Sequence, residues 1–192
     1  DNRWGTFPGI SAGWVLSREN FMESCSNVLS YAKIRASYGA NGNVSGVLDA
    51  NGNVVTGLDY YTVQGSYGIM KDKDGKIVPN YNGKVPLMIN DLPNPTMRWE
   101  KSYTFETGFD IGFLNNKYIL NFTYYNRHTQ DKFAEITLPS HSGVSSFLSN
   151  NGEVQNQGME LELTANVLRT KDWKFTVSMN TAYNKNKIIS LP

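Results

Sequence analysis

Over much of this chain, apolar and polar residues alternate one for one. That is the two-residue period of a β-strand, whose successive side chains point to opposite faces. In "YTFETGFDIGF" (103–113), Tyr103, Phe105, Thr107, Phe109, Ile111 and Phe113 share one face, and Thr104, Glu106, Gly108, Asp110 and Gly112 share the other. The segment 117–130 sets Tyr118, Leu120, Phe122 and Tyr124 against Ile119, Asn121, Thr123, Tyr125 and Arg127. In "GMELELTAN" (158–166), Met159, Leu161, Leu163 and Ala165 alternate with Glu160, Glu162, Thr164 and Asn166. "WKFTVSMNTAYNKN" (173–186) repeats the pattern, and "YAKIRASYGA" (31–40) shows it with smaller residues. A short strand is expected at 10–16, then one or two helical turns over 17–25 with Ser17 as N-cap. The fold class is all-β.

The connections give the strands an order. "LNN" (114–116) reads as a tight turn, because Asn tolerates the left-handed backbone such turns use. "LRTKDW" (168–173) is a second turn, and the Ser/Asn/Gly-rich stretch 139–157 reads as a link. Strands joined alternately by short turns and long loops predict an antiparallel up-and-down barrel. The longest irregular stretch, 41–98, is rich in Gly, Asn, Asp and Tyr and is expected to be an extracellular loop. Loops beyond ~15 residues are usually functional or disordered. Within it "NGNVV" (51–55) and "DGKIV" (74–78) each follow apolar residues, Val47–Leu48 and Ile69–Met70. Two small hairpins are predicted there.

What each face touches decides the class. Aromatic residues bracket the strands: Tyr103 and Phe113, Tyr118 and Tyr124, Trp173 and Tyr183. Thr107, Leu120 and Val177 stand between them. Membrane barrels place aromatic girdles at both interfaces of an apolar band, on strands of about 9 to 11 residues. A transmembrane barrel is therefore expected, with Glu106, Asp110, Arg127, Glu160 and Glu162 facing a hydrated lumen. The competing reading is a soluble β-sandwich that presents the tyrosine-rich loop to a glycan, although sandwich strands are commonly only ~5 to 6 residues long.

Composition narrows the function. The 192 residues carry 18 Lys and Arg against 17 Asp and Glu, a formal charge of +1. Nothing in that balance points to nucleic acid. One cysteine, Cys25, excludes an internal disulfide framework and a Cys-based zinc site. No apolar run approaches the ~20 residues of a spanning helix, and a polar average is what strands with one hydrated face produce.

The small motifs carry little chemistry. "DANGN" (49–53) opens like a calcium loop, but Val54 and Tyr60 stand where Gly and Glu are needed, which leaves a hairpin turn. No metal or cofactor is expected. His128, His141 and Ser142 lack an orienting acid and an oxyanion pocket, so no enzyme activity is expected. Trp99 and Glu100 read as the point where the long loop rejoins the wall. Asp59, Tyr60, Tyr61, Tyr67 and Tyr81 are candidate substrate contacts, since exposed tyrosines can stack on sugar rings or pack against a partner.

Three segments resemble the C-terminal barrel region of the SusC/RagA family of TonB-dependent outer-membrane transporters. They are "RWGTFPGISAGWVLSRENFM" running on to "AKIRASYGANGN" (3–43), "NPTMRWEKSYTFETGFDIGFLNNKYILNFTYYNRHTQD" (94–131), and the stretch from "LPSHSGVSSFLSNNGEVQNQGMELELTANV" to "IISL" (138–191). The resemblance implies one segment of a barrel of about 22 strands closed by an N-terminal plug that this chain lacks. It also implies TonB-driven import of glycan or peptide in Bacteroidota, with a SusD-like surface lipoprotein as partner. The chain is thus expected to be a piece of one barrel domain, cut at both ends and embedded in outer-membrane lipid.

Overall fold

The computed structural model describes residues 4–43, 47–48, 54–55, 63–78, 82, 84–144 and 146–191. Strands β1 (Gly9–Val15), β2 (Leu29–Asn43), β7 (Glu100–Phe113), β8 (Tyr118–Thr137), β9 (Ser146–Arg169) and β10 (Lys174–Ser190) form one antiparallel six-stranded sheet, in the order β1-β2-β7-β8-β9-β10. Every neighbour in that order is the next long strand along the chain, the up-and-down arrangement expected from the alternation. The sheet is open, with β1 and β10 as its two edges.

No second sheet covers the main one among the described residues, and that overturns the sandwich reading. The oily rows are not a core. Ile34, Phe105, Met159, Met179 and Tyr183 are all exposed, as is every residue of β10. Ala32, Met97 and Phe133 are the buried apolar residues. Rows of large apolar side chains left bare on one face are what a wall facing hydrocarbon requires.

Register completes the picture. One cross-strand row runs Trp14, Ile34, Phe109, Phe122, Leu161, Thr181, and the next runs Ala32, Ile111, Leu120, Leu163, Met179. Phe109 and Phe122 stack with centroids 5.1 Å apart. Aromatics therefore also occupy the middle of the band, where reading single strands had put small and aliphatic residues. Toward the turn end Trp14 meets Phe21 edge-on at 6.3 Å, and its Nε1 donates to Glu19 Oε1 at 2.8 Å. This ties the short 3-10 turns Leu16–Arg18 and Asn20–Cys25 to the sheet's apolar face.

The turns follow their sequence signals. Leu114, Asn115 and Asn116 all adopt left-handed backbone, with φ of 52°, 57° and 59°. The Lys117 N–H donates to Leu114 O, closing the turn. Both small hairpins form in the long connection. β3 (Val47–Leu48) pairs with β4 (Val54–Val55), and Lys71 bridges Ile77 around a turn in which Gly75 has φ 77°. A further pair, β5 (Ser66–Ile69) with β6 (Leu87–Asp91), was not anticipated. The motif 49–53 lies outside the described residues.

Two readings need correction. Ser17 is not an N-cap: it lies inside the first 3-10 turn, and Val15 and Glu19 hold the N-cap positions with no side-chain cap hydrogen bond. The supposed link 139–157 is mostly strand, because β9 begins at Ser146 and β8 runs on to Thr137. Ser, Asn and Gln on both faces erase the apolar–polar contrast that betrays a strand, yet the ladder hydrogen bonds continue through them. At roughly 3.3 Å per residue, β9 is far longer than a tilted crossing of about 9 to 11 residues needs.

Candidate functional site: the polar face of the wall

The face opposite the oily rows is built from four cross-strand rows. Lys33, Asp110, Asn121, Glu162 and Asn180 form one; Arg35, Gly108, Thr123, Glu160 and Ala182 form the next. Ser37, Glu106, Tyr125, Gly158 and Asn184 follow, then Gly39, Thr104, Arg127, Asn156 and Asn186. All five charged candidates, Glu106, Asp110, Arg127, Glu160 and Glu162, therefore share one face. The surface around Asp110, Glu160 and Glu162 is concave.

Arg35 organises this hollow. Its Nη2 donates to Thr123 Oγ1 at 2.6 Å, and its Nε lies 3.5 Å from Asp110 Oδ1. To reach Thr123 the guanidinium must cross β7, and it crosses at Gly108, where a Cβ would stand 3.2 Å from Nη2. Glycine is required there first by the Phe122 carbonyl oxygen, on which a Cβ would clash, and it leaves room for the crossing guanidinium as well. Asn121 Nδ2 donates to Glu162 Oε2 at 3.3 Å, and Arg127 Nε to Thr104 Oγ1 at 3.3 Å. The Glu160 carboxylate projects into the hollow beside them. The patch carries cations on β2 and, on β9, carboxylates that meet no cation among the described residues, with amides and hydroxyls between. Such a surface can hydrogen-bond a hydrated, polar cargo or a protein surface. The alternation of 31–40 places Arg35 opposite Ile34 and Ala36, but its role depends on registers spanning three strands and is not visible in one.

A second polar cluster lies where the long connection rejoins the wall. Glu100 is 4% exposed. Its carboxylate accepts from the Phe133 N–H and from Asn43 Nδ2, both at 3.0 Å, and Lys132 Nζ lies 3.5 Å away. Buried Asn94 donates to Leu148 O at 3.0 Å and accepts from Thr96, while Asn150 Nδ2 reaches Arg98 O at 3.4 Å. Arg98 Nη2 pairs with Asp131 Oδ1 at 2.7 Å. The hydrogen bond to Asp131 raises the Arg98 pKa further above its already high value. A raised cation stabilises the fold below its unfolded pKa and loses that effect only as pH climbs through the folded one, so Arg98 stays charged at any physiological pH. Trp99 and Glu100 thus mark the junction, as the sequence suggested.

The loop candidates divide. Tyr67 sits on β5 and is 74% exposed. Asp59, Tyr60, Tyr61 and Tyr81 lie outside the described residues. Ser142 Oγ bonds Pro139 O at 2.7 Å within a turn, remote from any base role.

A single-layer antiparallel wall, oily on one side and charged on the other, defines a segment of a large membrane β-barrel. The chain belongs to the family described as "TonB dependent receptor-like, beta-barrel", which it matches over residues 1–190. It is 32% identical over 192 residues to the TonB-dependent receptor SusC of Bacteroides thetaiotaomicron, covering all of this chain and 18% of that one. It is 31% identical to TonB-dependent receptor P3 of Formosa agariphila, covering 17% of it. Among solved structures it is similar to the RagAB peptide importer. In the open-open state the TM-score is 0.75 at 26% identity, over 96% of this chain and 18% of that one. In the closed-closed state the match covers 99% of this chain. The barrel is of the SusC/RagA type, and the chain spans less than a fifth of these relatives.

Proposed function

We propose that the whole protein is a TonB-dependent importer of the outer membrane, taking up an oligomeric nutrient, glycan or peptide, together with a SusD-like surface lipoprotein. This chain supplies part of the barrel wall and its loops. The observation that carries the reading is the two-faced wall: bare apolar rows on one side, the Arg35–Asp110–Glu162 hollow on the other. Glu106, Asp110, Arg127, Glu160 and Glu162 then line the lumen. The end bearing the long 41–98 connection faces outward, as long loops do in such barrels, and the short turns face the periplasm. Asp59, Tyr60, Tyr61, Tyr67 and Tyr81 are candidate contacts for cargo on that outer side. Import rather than catalysis is the role, and the energy comes from the TonB complex acting through regions beyond this segment.

The test uses the intact protein in its own cell. The expected result is outer-membrane fractionation and uptake of either labelled oligosaccharides or labelled peptides that stops when the gene is deleted or a protonophore is added. Separate glycan and peptide arms identify the cargo. Recovery of the native protein in the soluble fraction without detergent would refute the proposal, as would uptake indifferent to both treatments.

A further inference from the structure

The apolar face of β10 changes character abruptly toward its C-terminal end. Phe175, Val177, Met179, Thr181 and Tyr183 point outward in succession, and then Lys185 and Lys187 take the same face. The opposite face at that height carries the neutral amides Asn184 and Asn186. The cations are thus confined to the side that meets lipid. Strand register extends the pattern sideways: Lys185 continues the row Phe105, Asn126, Gln157, and Lys187 continues Tyr103, His128, Gln155. Gln155 Nε2 donates to Asn126 Oδ1 at 2.9 Å, which fixes the amides beside the lysines. Among the described residues neither lysine meets a carboxylate within salt-bridge distance. Glu153 shares this outward face, and its Oε1 lies 2.7 Å from His128 Nε2 without hydrogen-bond alignment.

The other end of the same face differs. At the turns the outward positions are Phe113, Tyr118, Ala165 and Val177, and the nearby cation Lys117 sits over the Tyr118 ring, 5.7 Å from its centroid. Along β10 itself, the lysines that point to the lipid face therefore stand at the loop end. An outer membrane has the matching asymmetry, because its outer leaflet consists of glycolipid whose sugar headgroups carry phosphate. Basic side chains just beyond the hydrocarbon attract anionic headgroups, and their long stems can lie along the apolar wall while the ammonium reaches the headgroup plane.

We propose that Lys185 and Lys187, flanked by Gln155 and Gln157, form a docking site on the outer wall for the phosphorylated sugar headgroup of an outer-leaflet glycolipid. The inference rests on the barrel reading and on its loop end facing outward. Two ammonium groups neutralise the phosphate and the glutamine amides bond to its sugar, while Tyr183 and Met159 lie alongside the first methylenes of the acyl chains.

The experiment takes the full-length protein in detergent and titrates it with phosphorylated lipid A and with the same lipid A stripped of phosphate, bound lipid being read by native mass spectrometry. The wild type is expected to prefer the phosphorylated form by roughly 10- to 30-fold. K185Q/K187Q loses that preference, and K185R/K187R retains it. Equal binding of the two lipids by the wild type, or an undiminished preference in the glutamine variant, overturns the site. Heat-modifiable gel migration verifies that each variant is a folded barrel, and the single glutamine variants replace a double variant that is not. A wild-type protein that sits in the outer membrane yet shows no preference defeats this site alone; one that is soluble defeats the barrel reading as well.

Discussion

Gly108 and Gly158 both lie on the polar face, each beneath a large side chain. At Gly158 a Cβ would stand 2.7 Å from ring atoms of Tyr125 and 2.5 Å from the Tyr183 carbonyl oxygen. The end of the Tyr125 side chain therefore reaches over its cross-strand partner, much as an aromatic covers a glycine in designed sheets. Gly158→Val is expected to cost about 1–3 kcal/mol, the usual penalty for overpacking. It should lower the temperature at which the full-length protein loses its folded, heat-modifiable band; an unchanged temperature would mean that both the Tyr125 side chain and the β10 backbone at Tyr183 give way without cost. The alternation in the sequence told which face each glycine was on. It could not tell why glycine was needed, because the reason is the close approach of a neighbouring strand's backbone and side chain, and register between strands leaves no trace within either one.

Among the elements, the long ones were read most surely where one face meets lipid. β7, the membrane portion of β9, and β10 all stood out, because hydrocarbon on one side and water on the other enforce the contrast. Beyond the band both faces are hydrated, selection for contrast ends, and 146–157 reads as loop although it is strand. The junction at 94–100 was legible only as a landmark. Its physical content is the buried Glu100 carboxylate, which holds the Phe133 N–H, Asn43 and Lys132 and so links β2, β7 and β8. Glu100→Gln keeps the size but removes the charge, and losing charge-assisted hydrogen bonds costs about 1.5–3 kcal/mol. The expected effect is local. Limited proteolysis of intact cells should cut the 63–93 segment faster in the variant, while the unfolding temperature of the barrel itself stays where it was. Equal cutting rates would show that the junction is held by Asn94 and Asn150 without help from Glu100.

At the scale of the molecule, the sheet has two open edges and a bare apolar face, both hazards in water. Residues 1–192 produced alone are accordingly expected to aggregate, and size-exclusion chromatography without detergent should show no monomer peak. A well-behaved soluble monomer would contradict the assignment of the oily rows to lipid. Barrel class and wall polarity were legible in the sequence because the membrane imposes them on every strand. The hollow around Arg35 was not, because it arises only when strands distant in sequence are brought side by side. One consequence of the long β8–β9 hairpin concerns reach. With the loop end outward, its tip around Pro139–Gly143 stands far above the lipid, on strands whose ladder pairing continues almost to the top. An epitope tag inserted there would be carried on a stiff mast above the lipid, where antibodies on intact cells would bind it without disturbing the wall beneath.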